Sequence, residues 1–295
     1  MEMKNNTAIA FFVAALWCTQ TAAQEQVMYT SVNSGGAQVE VTAVLGVPKT
    51  TKPERKKHAA IILLHSKGGW EYPVTAQYAK ALTESGFLVL EPRLFANQAS
   101  APPVPPTLLP MVYDALRYLA ARDDVDSKRI GVAGFSYGGA LALHSAASWA
   151  QARYAKNADL KFAAHAPFYP ICWAFSAFAQ GKRKTPAIPV DAFTKWTGAP
   201  VKIFAGGRDD YDDRDPNACT EFISSLPTDY QSSFSVMLYP EATHGWDQQS
   251  ARFYEAIACK GGGCFNSNEA NPKITQQSIS DLVAFFGKTL SPGQQ

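Results

Sequence analysis

Apolar and polar positions along this chain alternate between two textures, and each predicts a different kind of element. Residues 39–47 (VEVTAVLGV) alternate and carry β-branched side chains, which predicts an early antiparallel strand. Residues 59–64 (AAIILL) are apolar without interruption, as in a central parallel strand covered on both faces. A helix is expected over 73–85, ending at Gly86, and a strand over 87–90, followed by Glu91, Pro92 and Arg93. The proline-rich stretch 101–106 (APPVPP) reads as surface loop. Helical spacing returns over 107–122, with Leu108, Met111, Val112, Ala115, Leu116 and Leu119 on one side. Strands are expected at 129–133, 162–165, 201–205 (VKIFA) and 234–239 (FSVMLY), with a small-residue helix at 140–147. An amphipathic helix over 276–290 places Ile279, Leu282, Val283 and Phe286 together. Strands alternating with helices define an α/β fold: a mostly parallel central sheet with helices on both faces. No repeat or linker divides residues 24–295, which read as one domain. Residues 167–200 hold five prolines and many aromatics without clear periodicity. They read as an irregular insertion over the carboxyl edge of the sheet, where open α/β sheets bind ligands.

Composition narrows the partners. Of 295 residues, 46% are apolar and 18% charged, and 27 basic residues against 25 acidic leave a net charge of +2. With no basic stripe, nucleic acid is not an expected partner. Residues 52–57 (KPERKK) read as a solvated loop before a strand. Residues 1–23 stand apart from the fold and read as a signal peptide. Lys4 supplies positive charge, residues 8–17 (AIAFFVAALW) an apolar core, and Thr21, Ala22 and Ala23 small residues before Gln24. The run is short for a membrane span. The expectation is an exported protein, periplasmic or secreted, with no stable membrane association once the signal is removed. Four cysteines then remain: Cys172, Cys219, Cys259 and Cys264. An even count in an oxidising compartment suggests two disulfides, in any of three pairings. Cys259 and Cys264 flank residues 260–263 (KGGG), a tract able to close a small ring, and Cys172 and Cys219 would then pair. No cysteine spacing fits a zinc site. Neither metal nor cofactor is expected.

The chemistry centres on residues 134–139 (GFSYGG), directly behind the apolar run 130–133. A strand that ends in G-x-S-x-G and opens a helix has the form of the nucleophile elbow of α/β-hydrolases. The turn is so sharp that side chains beside the serine would collide, and glycine removes those clashes. Ser136 is the expected nucleophile. An idle serine in a tight turn is the competing reading.

A serine hydroxyl needs a base in hydrogen-bond reach, and the base needs an orienting acid. In this fold the chain order is Ser, acid, His. Only His165 and His244 follow the nucleophile beyond its own helix. His244, in the loop after residues 234–239, is the expected base, and His165 reads as a core residue. The strand at 201–205 runs into 206–213 (GGRDDYDD). Asp209, its first carboxylate, is the expected acid, with Asp210 second. Asp212 and Asp213 read as solvated or as caps of a helix beginning near Asp215. The oxyanion needs two backbone N–H groups. Tyr137, at the start of the elbow helix, and Lys67, in the loop 65–69 (HSKGG), are the expected donors, with Ser66 as alternative. His65 reads as a brace for that loop.

Four blocks, AAIILLHSKGGW, IGVAGFSYGGAL, FAGGRDDYDD and YPEATHGWD, resemble the dienelactone hydrolase family of α/β-hydrolases and run from about residue 59 to 247. The resemblance implies acid at Asp209, base at His244, and oxyanion donors at Lys67 and Tyr137. Residues 169–172 with Cys219 also resemble a cysteine pair of exported or serine-type relatives. Two departures stand out. Family members with a cysteine nucleophile have it where this chain has Ser136, and an acidic gate where it has Ser66. A hydroxyl nucleophile favours general hydrolysis of a small carboxylic ester, thioester or lactone. A non-catalytic exported binding protein and an acyltransferase are the rival functions. Arg93 is a candidate for a substrate carboxylate or a structural ion pair. Trp70, Phe95, Tyr169 and Trp246 are candidate pocket walls.

Overall fold

The computed structural model describes residues 23–49, 57–72 and 74–292. The expected signal segment therefore lies outside the described residues, save Ala23, which opens the first strand. Pro73 and most of the charged cluster at 52–57 lie outside them too. The elements run β1 (Ala23–Val32), β2 (Gln38–Val47), β3 (His58–Leu64), α1 (Ala76–Glu84), β4 (Leu88–Pro92), α2 (Leu109–Ala120) and β5 (Val125–Phe135). Next come α3 (Tyr137–His144), α4 (Ser148–Tyr154), β6 (Ala164–Phe168), α5 (Cys172–Ala179), β7 (Val201–Gly206) and α6 (Ala218–Ser224). The chain closes with α7 (Thr228–Gln231), β8 (Phe234–Tyr239), β9 (Ala251–Glu255), β10 (Cys264–Asn268) and α8 (Pro272–Thr289).

Eight strands form one sheet in the order β1-β2-β4-β3-β5-β6-β7-β8. The pairs β1–β2 and β2–β4 are antiparallel and the rest parallel. The uninterrupted apolar run of β3 explains its central place. Ala60, Ile62 and Leu64 pack with α2 on one face. Ala59, Ile61 and Leu63 pack with α1 and α8 on the other. Fully burying each of its larger aliphatic side chains contributes roughly 1.5–3 kcal/mol.

Several elements depart from expectation for local reasons. The second helix starts at Leu109 because Pro105 and Pro106 first form a short 3-10 turn, where their fixed φ fits and a missing N–H costs nothing. Pro106 is buried, so the proline stretch is not all surface. Residues 167–200 contain the regular helix α5, and Phe175, Ile188, Phe193 and Trp196 bury into a third apolar cluster beside α3 and α6. Strand β1 and the separate β9–β10 hairpin lie outside the expected elements.

After β3 the next strand lies on one side and β5 on the other, so the winding reverses between β3 and β5. A crevice opens at such a switch point, outside the carboxyl ends of the strands. The elbow after β5 sits there, and glycine is obligatory in it. A Cβ on Gly138 would stand 2.3 Å from the Leu64 carbonyl oxygen and 2.6 Å from that of His65. One on Gly139 would stand 2.4 Å from the Phe168 oxygen. These are backbone atoms and cannot rotate away. Gly138→Ala should therefore cost at least about 3 kcal/mol, the upper end of overpacking penalties. Gly287→Ala, in α8 with open space around the new methyl, should instead gain about 0.5–1 kcal/mol. Denaturant midpoints of the two variants check both signs.

Candidate active site

Ser136 stands between β5 and α3 at φ 51° and ψ −107°, a strained conformation for a residue with a side chain. Its N–H donates to the Phe168 carbonyl at 3.0 Å, which fastens the turn to β6. Thus held, the hydroxyl lies 2.8 Å from His244 Nε2. His244 Nδ1 lies 2.8 Å from Asp209 Oδ2. The carboxylate can only accept, so the imidazole proton sits on Nδ1 and Nε2 is left to accept from the serine. Imidazole and carboxylate are buried, at 3% and 2% exposure, whereas Ser136 is half-buried and open to a cavity. The Tyr169 and Tyr211 rings flank the imidazole, with centroids 4.8 and 4.3 Å away.

The loop after β7 separates its carboxylates by local geometry. Asp209 Oδ1 accepts the Tyr211 N–H at 2.9 Å, a local turn that leaves Oδ2 for His244. Asp210 points elsewhere: it accepts from Arg214 Nε at 2.7 Å and from the Ser267 N–H of β10 at 2.8 Å. Asp212, expected to be solvated or to cap a helix near Asp215, is buried. It accepts the Cys172 and Trp173 N–H groups at the start of α5, at 3.2 and 2.7 Å. Burial first, then the charge of Asp209, pushes its carboxyl up to about 7. Asp213 is exposed.

The loop after β3 is braced by His65. Its Nε2 accepts the Leu94 N–H at 3.1 Å, so its Nδ1 carries the proton and donates to the Ser66 carbonyl at 2.9 Å. Burial lowers its pKa to about 4 and keeps it neutral. The Lys67 and Tyr137 N–H groups make no backbone hydrogen bond among the described residues. His165 is fully buried on β6, with Nδ1 near Ser145 Oγ and the Ala142 carbonyl, and burial lowers its pKa to about 3.

A cavity of about 310 Å³ lies over Ser136 and His244. Its walls are Ser66, Lys67, Gly68, Tyr72, Gln98, Tyr211, residues 248–251, Phe253, Glu255 and Asn268. Residues 167–200, expected over this edge, contribute none of that lining, and the β9–β10 hairpin takes the place instead. Two short aromatic-bearing runs either side of a cysteine-closed glycine tract were the available sequence signal for it. Tyr169 and Trp246, expected as walls, lie behind the site, 1% and 0% exposed. Arg93 and Trp70 are not in the lining either. The Arg93 guanidinium lies 4.4 Å over the Trp70 ring and makes no ion pair among the described residues. Phe95 packs edge-on against His65 and Tyr137. The disulfides are Cys172–Cys219 and Cys259–Cys264. Among the described residues Cys172, Cys219 and Asp212 cluster like metal ligands, but the two sulfurs are bonded to each other.

Behind the base lies a group that the sequence patterns did not single out. Asp247 accepts from the Tyr169 and Tyr78 hydroxyls at 2.6 and 2.8 Å. Tyr78 also meets Ser278 Oγ at 2.8 Å, which ties α8 to the His244 loop.

Residues 42–290 match the dienelactone hydrolase family. A comparison with curated proteins finds no match. Among solved structures, esterase 2 of Thermogutta terrifontis, phosphonylated by cyclosarin, aligns with TM-score 0.62 and 15% identity over 92% of this chain and 96% of its own. Est1E from Butyrivibrio proteoclasticus with ferulic acid bound aligns with TM-score 0.58 and 16% identity over 88% and 98%. A Pyrococcus furiosus esterase aligns with TM-score 0.57 and 14% identity over 92% and 94%. At these identities the likeness shows a shared fold, the α/β-hydrolase fold.

Burial holds the Asp247 carboxyl up at about 6, against an ordinary 3.8, although both tyrosines pull it back. A raised acid binds its proton more tightly folded than unfolded. Its contribution is most favourable below about pH 4 and is lost as pH rises through about 6. The stability of wild type minus that of Asp247→Asn should therefore fall between pH 4 and pH 6 and level off above. Urea midpoints across that range measure it, and a constant or rising difference would contradict the assignment.

Proposed function

The chain belongs to the dienelactone hydrolase family, and on that premise we propose that it is a serine hydrolase. It cleaves a small carboxylic ester, thioester or lactone through an acyl-enzyme on Ser136. The observation that carries this reading is the unbroken hydrogen-bond chain from Asp209 through His244 to Ser136, ending at an open cavity. Ser136 Oγ attacks the carbonyl carbon while His244 Nε2 takes its proton. Asp209 steadies the imidazolium that forms. The carbonyl oxygen, now an anion, accepts from the Tyr137 and Lys67 N–H groups, which no backbone carbonyl of the described residues occupies. Tyr137 opens α3, so the helix dipole adds to the same field. His244 then protonates the departing alcohol or thiol as its bond to carbon breaks. Water, deprotonated by the same imidazole, releases the acid and restores the serine.

We also infer export to the periplasm or the exterior. The signal-like pattern at 1–23 and two disulfides that use all four later cysteines support it. Among the described residues no helix is long and apolar enough to cross a membrane.

Hydrolysis of 4-nitrophenyl acetate by point variants tests the roles. His244→Ala should lower kcat by at least about 10³-fold, and Asp209→Asn by about 10⁴-fold through the wrong imidazole tautomer. His165→Ala and Asp210→Asn, where folded, should lose far less. Equal losses for Asp209→Asn and Asp210→Asn would remove Asp209 from its role.

A further inference from the structure

Among the described residues the cavity over Ser136 carries one cation and one fixed anion besides the buried triad, and they face each other. Lys67 comes from the loop after β3 and Glu255 from the end of β9, and both line the cavity. Lys67 Nζ donates to Glu255 Oε1 at 3.2 Å. Their exposures differ: the lysine side chain is 46% exposed and the glutamate 15%. Water therefore screens the positive charge more than the negative one. Glu255 is also held in place. Its strand is paired with β10, the connection is closed by Cys259–Cys264, and Asp210 grips the Ser267 N–H. The rest of the described wall is uncharged: Gln98, Gln248, Gln249, Ser250 and Asn268 supply its polar groups, and Tyr72, Tyr211 and Phe253 its aromatic surface.

We propose that the Lys67–Glu255 pair selects neutral, hydrogen-bonding esters and rejects esters that carry an anionic group on the acyl chain. This rests on the serine hydrolase reading above and adds the substrate class. A carboxylate entering the cavity would come up against Glu255, fixed to its hairpin and little exposed, while the Lys67 charge that could attract it is already paired with Glu255 and more open to water. Discrimination by a built-in repulsive group is a general device of specificity. A hydroxyl or carboxamide meets no such charge. Lys67 has two further N–H donors and Glu255 a second oxygen, so the pair serves a neutral donor and acceptor at once. The amide walls extend the same complementarity. The favoured class is esters of polyhydroxylated or amide-bearing molecules.

Two substrates of equal shape test this: the mono-4-nitrophenyl ester of adipic acid, with a free carboxylate, and its terminal primary amide. Wild-type kcat/KM should favour the amide by at least about tenfold. In Glu255→Gln the repulsion is gone and Lys67 is released, so the amide-to-acid ratio should fall at least tenfold. A wild-type ratio near one, or the same ratio in a folded Glu255→Gln protein, overturns the selection while leaving hydrolysis intact. Turnover of neither ester by a wild-type protein that hydrolyses 4-nitrophenyl acetate overturns the selection alone, and turnover of none of the three overturns the hydrolase reading itself.

Discussion

The site depends on a close backbone contact. Three strand ends, of β3, β5 and β6, meet where the chain turns from strand into helix at Ser136. The carbonyls of Leu64, His65 and Phe168 press on positions 138 and 139 at distances that exclude any side chain. That contact aims the serine outward, places the first N–H groups of α3 beside the loop after β3, and holds that loop at its final height. A backbone φ of 51° at Ser136 is the cost of the arrangement. Because the strained residue is fixed by backbone atoms on two sides, a base and acid supplied from distant loops meet a hydroxyl whose position is already set.

The acid loop after β7 links chemistry to architecture. Asp209 orients His244, Asp210 anchors the hairpin that walls the cavity, and Asp212 satisfies the amino end of α5 beside the Cys172–Cys219 bridge. Three carboxylates within four residues escape mutual repulsion by pointing three ways, each to its own donors. Burial first, and then the charge of Asp209, raises the pKa of Asp212. Orientation of the base, closure of the pocket and packing of the third apolar cluster thus share one short segment.

Much of this was legible in the sequence, and the exceptions have physical reasons. The run AAIILL could only be a strand covered on both faces, and the elbow glycines sit where contact is tightest. The order Ser136, Asp209, His244 places each residue at the carboxyl end of a strand of one wound sheet. The pocket wall was not legible. Residues 251–268 contain short, irregular strands whose pairing depends on a disulfide and on Asp210, neither of which leaves a periodic trace. The same limit applies to α5, whose run CWAFSAFA has no polar face although only Cys172, Ala174 and Phe175 of it are buried. Tyr169 and Trp246 were misplaced because aromatics near a site serve equally as wall or as backing, and only burial separates the two. The Trp70 ring under Arg93 was not legible either, because it is supplied by a different loop.

The central claim is that this backbone turn yields one activated hydroxyl. Treating the intact protein with a fluorophosphonate and mapping the adduct by mass spectrometry tests it most directly. The account predicts a single adduct, on Ser136, absent in Ser136→Ala. An adduct on another residue, or labelling that persists in Ser136→Ala, would contradict it.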